Sequence, residues 1–547
     1  MRILNVKKTT ALLLSASMVL GSSFVVQADD SDKSDSGEKV KLTALFSGSD
    51  ATRSVEDMEW LKKVEEEANV EIEWTQIRQS DWSETKGTML GSGDVPDIMI
   101  GAENFQKTDF STYKGLFKDM SSLLEDAPNI QKMFEEQPEV RYIAEEDDGA
   151  IYGIPKFQRY SPQSWLRQYI NKTWLDKLGL DMPETLDDFY EVLKAFKEQD
   201  PNGNGKADEV GWAFHADPST VMLPYVFMTS YGVSFDALKG SLGYYVKDGE
   251  VKNFLDSDEF KEVTKFINKL YQDGLIYSAS FTQDWSATTA LYRKGEDAGE
   301  ATVGFIMNYS KTDVVGEKLE DQYVPMPPLK VSDDSDYEPT WTNEYDALNY
   351  KPIVVTMSEK CENPEAAMRF IDALYGEEAS VESMYGDIGT MVQKNDDGSY
   401  KVLSGTEAGD TNSLGGAAYR GTQTMCDYGP GYMSKDLKIE LPDDVAAVKE
   451  DQEAFDKVLE ATVDSDGDIL HQNFLKFTSD ELSQLSLIHS NIEYVAKSQF
   501  TDFVVNGGID EGWDSYIQNL EGTGYKDGIQ IYQRAYDSYK ESVSESK

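Results

Sequence analysis

From residue 40 onward, short apolar runs alternate with stretches whose apolar residues recur every three or four positions. Residues 40–46 (VKLTALF) and 70–77 (VEIEWTQI) read as strands, with the helical pattern of residues 55–68 between them. A strand–helix–strand start predicts a parallel sheet. Thr185, three residues before Asp188, opens a stretch in which Leu186, Phe189, Tyr190, Leu193 and Phe196 fall on one helical face. That is a capped helix packing one side. Asn363-Pro364 starts another helix, carried by Phe370, Ile371 and Leu374 and stopped at Gly376. Thr478 and Glu481 form a capping box before Leu482, Leu485, Ile488 and Ile492. Trp513, Tyr516, Ile517 and Leu520, then Tyr532, Tyr536 and Tyr539, describe two closing helices. The blend is α/β throughout, with no repeat of 20 to 50 residues.

The first residues break this pattern. Arg2, Lys7 and Lys8 precede an apolar run over residues 11–20, and Val26-Gln27-Ala28 supplies small residues where a signal peptidase cuts. Residues 1–28 are therefore expected to be a signal peptide, with cleavage before Asp29. The run falls short of the roughly 20 apolar residues of a membrane span. Serines stand at Leu20-Gly21-Ser22-Ser23 where a lipid-bearing cysteine would be expected, so the exported chain is either released or retained by other means. Residues 29–39, rich in Asp, Ser and Lys, read as a flexible tether.

Charge narrows the partners. Of 547 residues, 51 are Lys or Arg and 100 are Asp or Glu, a formal charge of −49. Such a surface repels phosphate backbones and anionic lipid heads, which argues against nucleic acid or membrane-surface partners. A hydrophobic content of 39% and 11% aromatics still bury a large core, and a chain this long is expected to divide it between lobes. Cys361 and Cys426 are the only cysteines that could pair, and nothing in the sequence brings them together.

The sharpest chemistry lies in residues 200–209, DPNGNGKADE, directly after the Thr185 helix. Counting Asp200 as position 1, side-chain oxygens fall at positions 1, 3, 5 and 9 as Asp200, Asn202, Asn204 and Asp208, with Gly205 at the sharp turn. Lys206 offers its backbone carbonyl. This is the rhythm of a calcium loop, in which alternate residues face a hard cation. Position 12 is Gly211, so no bidentate Glu stands there, and Glu209 is the available substitute. The expected cofactor is a structural Ca²⁺; the competing reading is a solvated Asn-Gly turn.

With that loop in place, the chain resembles the family 1 extracellular solute-binding proteins of ABC importers, in particular their large calcium-containing, oligosaccharide-binding branch. The resemblance is carried by GSGDVPDIMIG at 91–101, YGIPKF at 152–157, the long segment 174–212, NPEAAMRFIDALYG at 363–376, KFTSDELSQLSLI at 476–488 and the tail 513–539. It assigns Asp200, Asn202, Asn204, Lys206, Asp208 and Glu209 to the calcium, in agreement with the loop count. Tyr385-Gly386-Asp387-Ile388-Gly389 departs from the pattern by lacking an acidic residue before its last glycine. The implied fold is α/β and two-lobed, periplasmic-binding-protein-like, with hinge strands between lobes. Residues 40–156 and 325–420 are expected in lobe 1, and residues 157–324 and 421–547 in a mostly helical lobe 2. The chain should cross near residues 157–160, near 323–328, where VPMPP can only be extended, and again within 385–426. Hinge closure about these strands would couple ligand capture to docking on transporter permease subunits. The protein is expected to act as a monomer.

A sugar cleft wants aromatic platforms with polar groups around them. Nine tryptophans and 30 tyrosines exceed that need, and Trp174, Trp212 and Trp513 lie in patterned segments that read as packing. Trp165, Trp285 and Trp341 sit in polar, loop-like sequence and are the candidate platforms. Candidate polar contacts are Arg159, Arg167, Asp284, Glu344, Asp346 and Asp50, against the default of ordinary surface charge. A secreted glycoside hydrolase remains the main rival, since a carboxylate pair would suffice for it. However, no Gly-x-Ser-x-Gly elbow, His-Glu-x-x-His helix or phosphate loop occurs, and His215, His471 and His489 are the only histidines. A carbohydrate-binding adhesin is the second rival, although such modules are usually β-sandwiches.

Overall fold

The opening strand–helix–strand pattern is realised in the computed structural model, which describes residues 39–102, 104–146, 148–158, 164–215, 224–344, 349–404, 421–442, 453–459 and 469–545. β1 (Val40–Gly48) pairs in parallel with β2 (Val70–Arg78), and the helix Glu59–Glu67 lies between them in sequence. Met1–Lys39 separates from Val40–Lys547, and every element below belongs to the second unit. Next come β3 (Ile98–Ile100), β4 (Gly153–Phe157), β5 (Arg167–Asn171) and β6 (Val210–Trp212). A hairpin, β7 (Tyr244–Lys247) and β8 (Glu250–Asn253), precedes β9 (Val303–Asn308), β10 (Tyr323–Pro325) and β11 (Tyr350–Met357). β12 (Val392–Lys394), β13 (Tyr400–Val402) and β14 (Ile439–Glu440) form a small sheet of their own.

Two larger sheets carry the two lobes. The first has the order β2-β1-β3-β11-β4, and the second β10-β5-β9-β6. β1 and β3 are parallel, while β11 runs antiparallel to both β3 and β4. β1, β3 and β4 therefore end at one edge, where β11 begins. In the second sheet β5 is antiparallel to β9, and β6 is parallel to β9. β6 and β9 thus end where β5 begins, and the chain passes from the end of β4 to the start of β5.

Each sheet is buried against helices, which gives the two cores. Leu42, Phe46, Trp60, Ile100, Ile154, Val355 and Phe370 belong to the first; Tyr169, Trp174, Phe189, Trp212, Phe254, Phe305, Phe500 and Tyr516 belong to the second. Each large apolar side chain so buried stabilises the fold by about 1.5–3 kcal/mol. The helix Leu186–Glu198 has the expected capping box: the Thr185 hydroxyl accepts from Asp188 N, and the Asp188 carboxylate accepts from Thr185 N. Its inner face lies against β9 at Gly304, where an added Cβ would come within 2.2 Å of the Phe196 ring. The capping box at Thr478 opens the helix Ser479–Asn506. The last helix, Tyr525–Glu545, begins in the second core and reaches the first, where Tyr539 stacks on Phe474 at 5.1 Å. Cys361 and Cys426 are not joined in a disulfide. Among the described residues no helix is long and apolar enough to cross a membrane.

The flanks of the crossings are hydrogen-bonded to one another. Gln158 N donates to Asn349 O at 2.9 Å, and the Ser164 and Thr342 hydroxyls meet at 3.1 Å, so the outgoing and returning segments are joined at both ends. A third segment flanks them: Phe157 pairs with Tyr432, and Met433 N donates to Phe157 O at 3.0 Å. The first crossing lies between β4 and β5. The second differs from its sequence position. β10 pairs with β5, Met326 and Leu329 are buried in the second core, and Lys330 N donates to Glu184 O, so residues 325–344 stay with the second lobe. Proline forces extension, which an edge strand satisfies as well as a crossing does. Likewise residues 421–442 pack with the first lobe, because Met425 and Tyr432 are buried in its core. The return to the second core follows them, at Phe455.

Candidate functional site

Strand direction places the candidate site. Where strands of open α/β sheets end and the chain changes sheet, loops diverge and leave room for a ligand. Here the ends of β1, β3 and β4 belong to one lobe and those of β6 and β9 to the other, with the crossing segments between them.

On the second-lobe side, β9 is buried along its whole length until the chain emerges at Tyr309, which is 38% exposed. The Tyr309 ring stacks on Trp165, with centroids 4.9 Å apart and planes 18° from parallel. Trp165 is half-buried. Arg167, at the start of β5, is buried, and its Nη1 donates to Tyr309 O at 2.6 Å, tying the end of β9 to the crossing segment. Its Nε has no partner. Trp285 is 39% exposed and meets the His215 ring at 5.4 Å in an edge arrangement, just beyond the end of β6. Asp284 caps the helix Trp285–Tyr292, its Oδ1 accepting from Ala287 N at 2.8 Å.

Two predicted contacts turn inward. Trp341 is buried in the second core, facing Phe455, and its Nε1 donates to Leu166 O at 2.7 Å, so it presents no ring face to a ligand. Glu344 is wholly buried. Its Oε2 accepts from Trp165 N and its Oε1 from Ala237 N, each at 2.6 Å. Burial, and secondarily the charge of Asp236, push its pKa up to about 8. Glu344 is thus a strut behind Trp165 rather than a contact. The sequence placed both residues in a polar loop, and their burial comes from distant segments. Arg159 and Asp346 lie outside the described residues.

On the first-lobe side, Asp50 follows β1 and is exposed. Its Oδ1 accepts from Ser80 N at 3.0 Å, and that hydrogen bond holds its pKa below the usual value. Asn104, just beyond β3, is buried, with Nδ2 donating to Ser47 O and Oδ1 left without a partner. Tyr309 was not singled out in the sequence. Its signal is an aromatic placed directly after the buried strand VGFIMN, where a polar turn begins.

The 200–209 loop lies apart from this edge, between the helix Leu186–Glu198 and β6. Asp200 takes φ +47°, and Gly203 and Gly205 are also left-handed, which curls the loop inward. Asp200 accepts from Gly203 N and Gly205 N, Asn202 from Asn204 N, and Asn204 from Lys206 N. Each of those oxygens keeps a second lone pair. Both Glu209 carboxylate oxygens are buried and without a hydrogen-bond donor. Burial raises the Glu209 pKa, and the charges of Asp200 and Asp208 raise it further. Two like charges beside an orphaned carboxylate suit a cation. Asp208 meanwhile pairs with Lys294 at 3.1 Å. No cluster of three or more His, Cys, Asp or Glu side chains able to hold a metal converges among the described residues. A cage here would depend on Asn202, Asn204 and the Lys206 carbonyl for its remaining oxygens.

Comparison with known proteins agrees with this layout. The family model for bacterial extracellular solute-binding proteins matches residues 52–381. The fructooligosaccharide ABC transporter substrate-binding protein FusA of Streptococcus pneumoniae serotype 4 is 28% identical over 501 residues, 88% of this chain and 87% of FusA. The structure of FusA in complex with kestose is 26% identical, with a TM-score of 0.73 over 92% of this chain and 100% of that one. An EF-hand mutant of FusA in complex with fructo-nystose gives 26% and 0.74, at the same coverage. An HMO-binding, ABC-transporter-associated solute-binding protein from Bifidobacterium longum infantis is 28% identical, with a TM-score of 0.81 over 92% of this chain and 99% of that one. The two-lobed, periplasmic-binding-protein-like α/β fold is therefore shared.

Proposed function

We propose that this chain, which belongs to the bacterial extracellular solute-binding protein family, captures a short oligosaccharide between its two sheets and delivers it to an ABC importer. The observation that carries the reading is the Trp165–Tyr309 stack, accompanied by the exposed Trp285, at the edge where the chain crosses between lobes. Aromatic faces gain by covering the C–H patches of sugar rings while polar groups at the rim take the hydroxyls. The relatives support it, since FusA is a fructooligosaccharide receptor and the Bifidobacterium protein binds HMO. Asp50 would meet the sugar from the opposite lobe, so that closure about the crossing segments is favoured by a ligand touching both sides.

The protein works without catalysis in this reading, as a monomer exported after loss of residues 1–28, and docks on permease subunits in its closed form. Calcium is a strut within one lobe. Asp200, Asn202, Asn204, Asp208, Glu209 and the Lys206 carbonyl would hold it, and bound Ca²⁺ would neutralise the carboxylates there. Incubation with a panel of soluble oligosaccharides, followed by calorimetry and product analysis, tests the proposal. One-to-one binding without products is expected. Cleaved products would make the protein a hydrolase, and preference for polymer over short chains would make it an adhesin.

A further inference from the structure

We propose that Glu344 is a positioning residue, whose buried carboxylate sets the orientation of the Trp165–Tyr309 platform. The inference rests on the sugar-binding reading above for its purpose, and on geometry for its substance.

Three segments meet at this side chain. Trp165 N, on the outgoing crossing, and Ala237 N each donate to one of its two oxygens at 2.6 Å. Its own segment is fixed beside residues 234–237, because Asn343 N donates to Phe235 O and the Ser234 hydroxyl donates to Trp341 O. On the other side Trp341 Nε1 donates to Leu166 O, and the Ser164 and Thr342 hydroxyls meet. The backbone on both sides of Trp165 is thus pinned, and at Trp165 itself the pin is the carboxylate. Two backbone N–H groups aimed at two oxygens of one ionised carboxyl is an arrangement a neutral side chain cannot copy. An amide turns its NH2 toward one of the two N–H groups, and a protonated acid keeps only a weakened acceptor at the oxygen that carries the proton. Losing either bond frees the chain at the ring that stacks on Tyr309.

Proton binding at Glu344 should therefore reach the platform. Asp236 is the charged group that acts on Glu344 from the segment packed against it, and Asp236 also acts electrostatically on the Tyr532 phenol. Arg167, two residues beyond Trp165, donates to Tyr309 O. Burial, and secondarily Asp236, raise the Glu344 pKa, so the carboxylate that makes both bonds gives way to the neutral form as the pH falls, earlier than an ordinary carboxylate would.

The test uses the intact protein labelled with 5-fluorotryptophan, in which the ¹⁹F line of Trp165 is identified among nine by its loss in Trp165→Phe. In Glu344→Gln the Trp165 line is expected to shift and broaden while those of Trp60 and Trp513 stay in place, and affinity for kestose to fall by about tenfold. In the unmodified protein the same line is expected to move with pH, with a midpoint above the ordinary carboxylate range. In Asp236→Asn that midpoint is expected lower, with the alkaline position unchanged. If Glu344→Gln does not fold, the two titrations decide. A Trp165 line that neither moves in Glu344→Gln nor titrates overturns the proposal, as does an unchanged midpoint in Asp236→Asn. Failure of the unmodified protein to bind kestose counts against that sugar as ligand, and the Trp165 line still decides the role of Glu344.

Discussion

Trp165 and Trp341 sit in one hydrogen-bonded corner and should respond to removal in opposite ways. Trp341 is 2% exposed, and its indole N–H satisfies the buried carbonyl of Leu166. Truncating a buried aromatic to alanine costs about 3–5 kcal/mol through lost transfer energy and the cavity left behind. Leu166 O also accepts from the Ser164 hydroxyl at 2.6 Å, so the lost indole bond accounts for only about 0.5–1.5 kcal/mol within that figure. Trp341→Phe keeps most of the ring and should lose mainly this second part. Trp165 is half-buried, and its stacking on Tyr309 is worth about 0.5–1.5 kcal/mol beyond area. Trp165→Ala should therefore lower stability by about 1 kcal/mol while weakening sugar binding at least tenfold, about 1.4 kcal/mol in binding energy. Urea unfolding followed by circular dichroism gives the stability, and calorimetry with the best oligosaccharide gives the affinity, both at fixed calcium. The reasoning fails if Trp341→Ala unfolds within about 1 kcal/mol of the unmodified protein and yet abolishes binding, because Trp341 would then be the platform.

Chelation should lower the melting temperature by several degrees, and added Ca²⁺ should restore it; calcium at about 100 times its Kd would contribute about 2.7 kcal/mol. Glu209→Gln should shrink that calcium-dependent gain, whereas an identical melt with and without chelator would remove the ion from the account. Thr185→Ala deletes the cap of the helix Leu186–Glu198 and should cost about 1 kcal/mol in urea unfolding without touching sugar affinity. Lys156 is buried at the end of β4, where its Nζ donates to Cys426 O at 2.9 Å, and burial lowers its pKa. The unfolded chain holds this proton more tightly, so stability should rise with pH as it approaches the ordinary lysine value of 10.5. Lys156→Met should flatten that slope, and an unchanged slope would contradict the burial of the ammonium.

What could be read from the sequence was what local chemistry decides. The capping boxes at Thr185 and Thr478 and the β1–β2 pairing needed no distant partner, and each was legible. The tight turn at residues 200–209 was legible for the same reason, with Gly203 and Gly205 left-handed, although the orphaned Glu209 carboxylate is visible only once neighbouring segments close over it. The crossing near residues 323–328 was misplaced, because proline dictates extension and not destination. Trp341 and Trp165 occupy similar polar sequence, and what separates them is Phe455 and Leu166 covering one ring, a contact made between remote parts of the chain. Glu344 reads in sequence as a ligand contact because its two backbone donors, Trp165 N and Ala237 N, come from remote segments. Tyr309 was passed over because only the β9–β5 register reveals that it emerges beside Trp165.

Titration calorimetry of the intact protein with kestose and related short oligosaccharides, with product analysis of the same samples, tests the central claim most directly. The account predicts saturable one-to-one binding that Trp165→Ala weakens at least tenfold, with every sugar recovered intact. Binding that Trp165→Ala, Trp285→Ala and Tyr309→Ala all leave unchanged, or cleavage of the sugar, would contradict it.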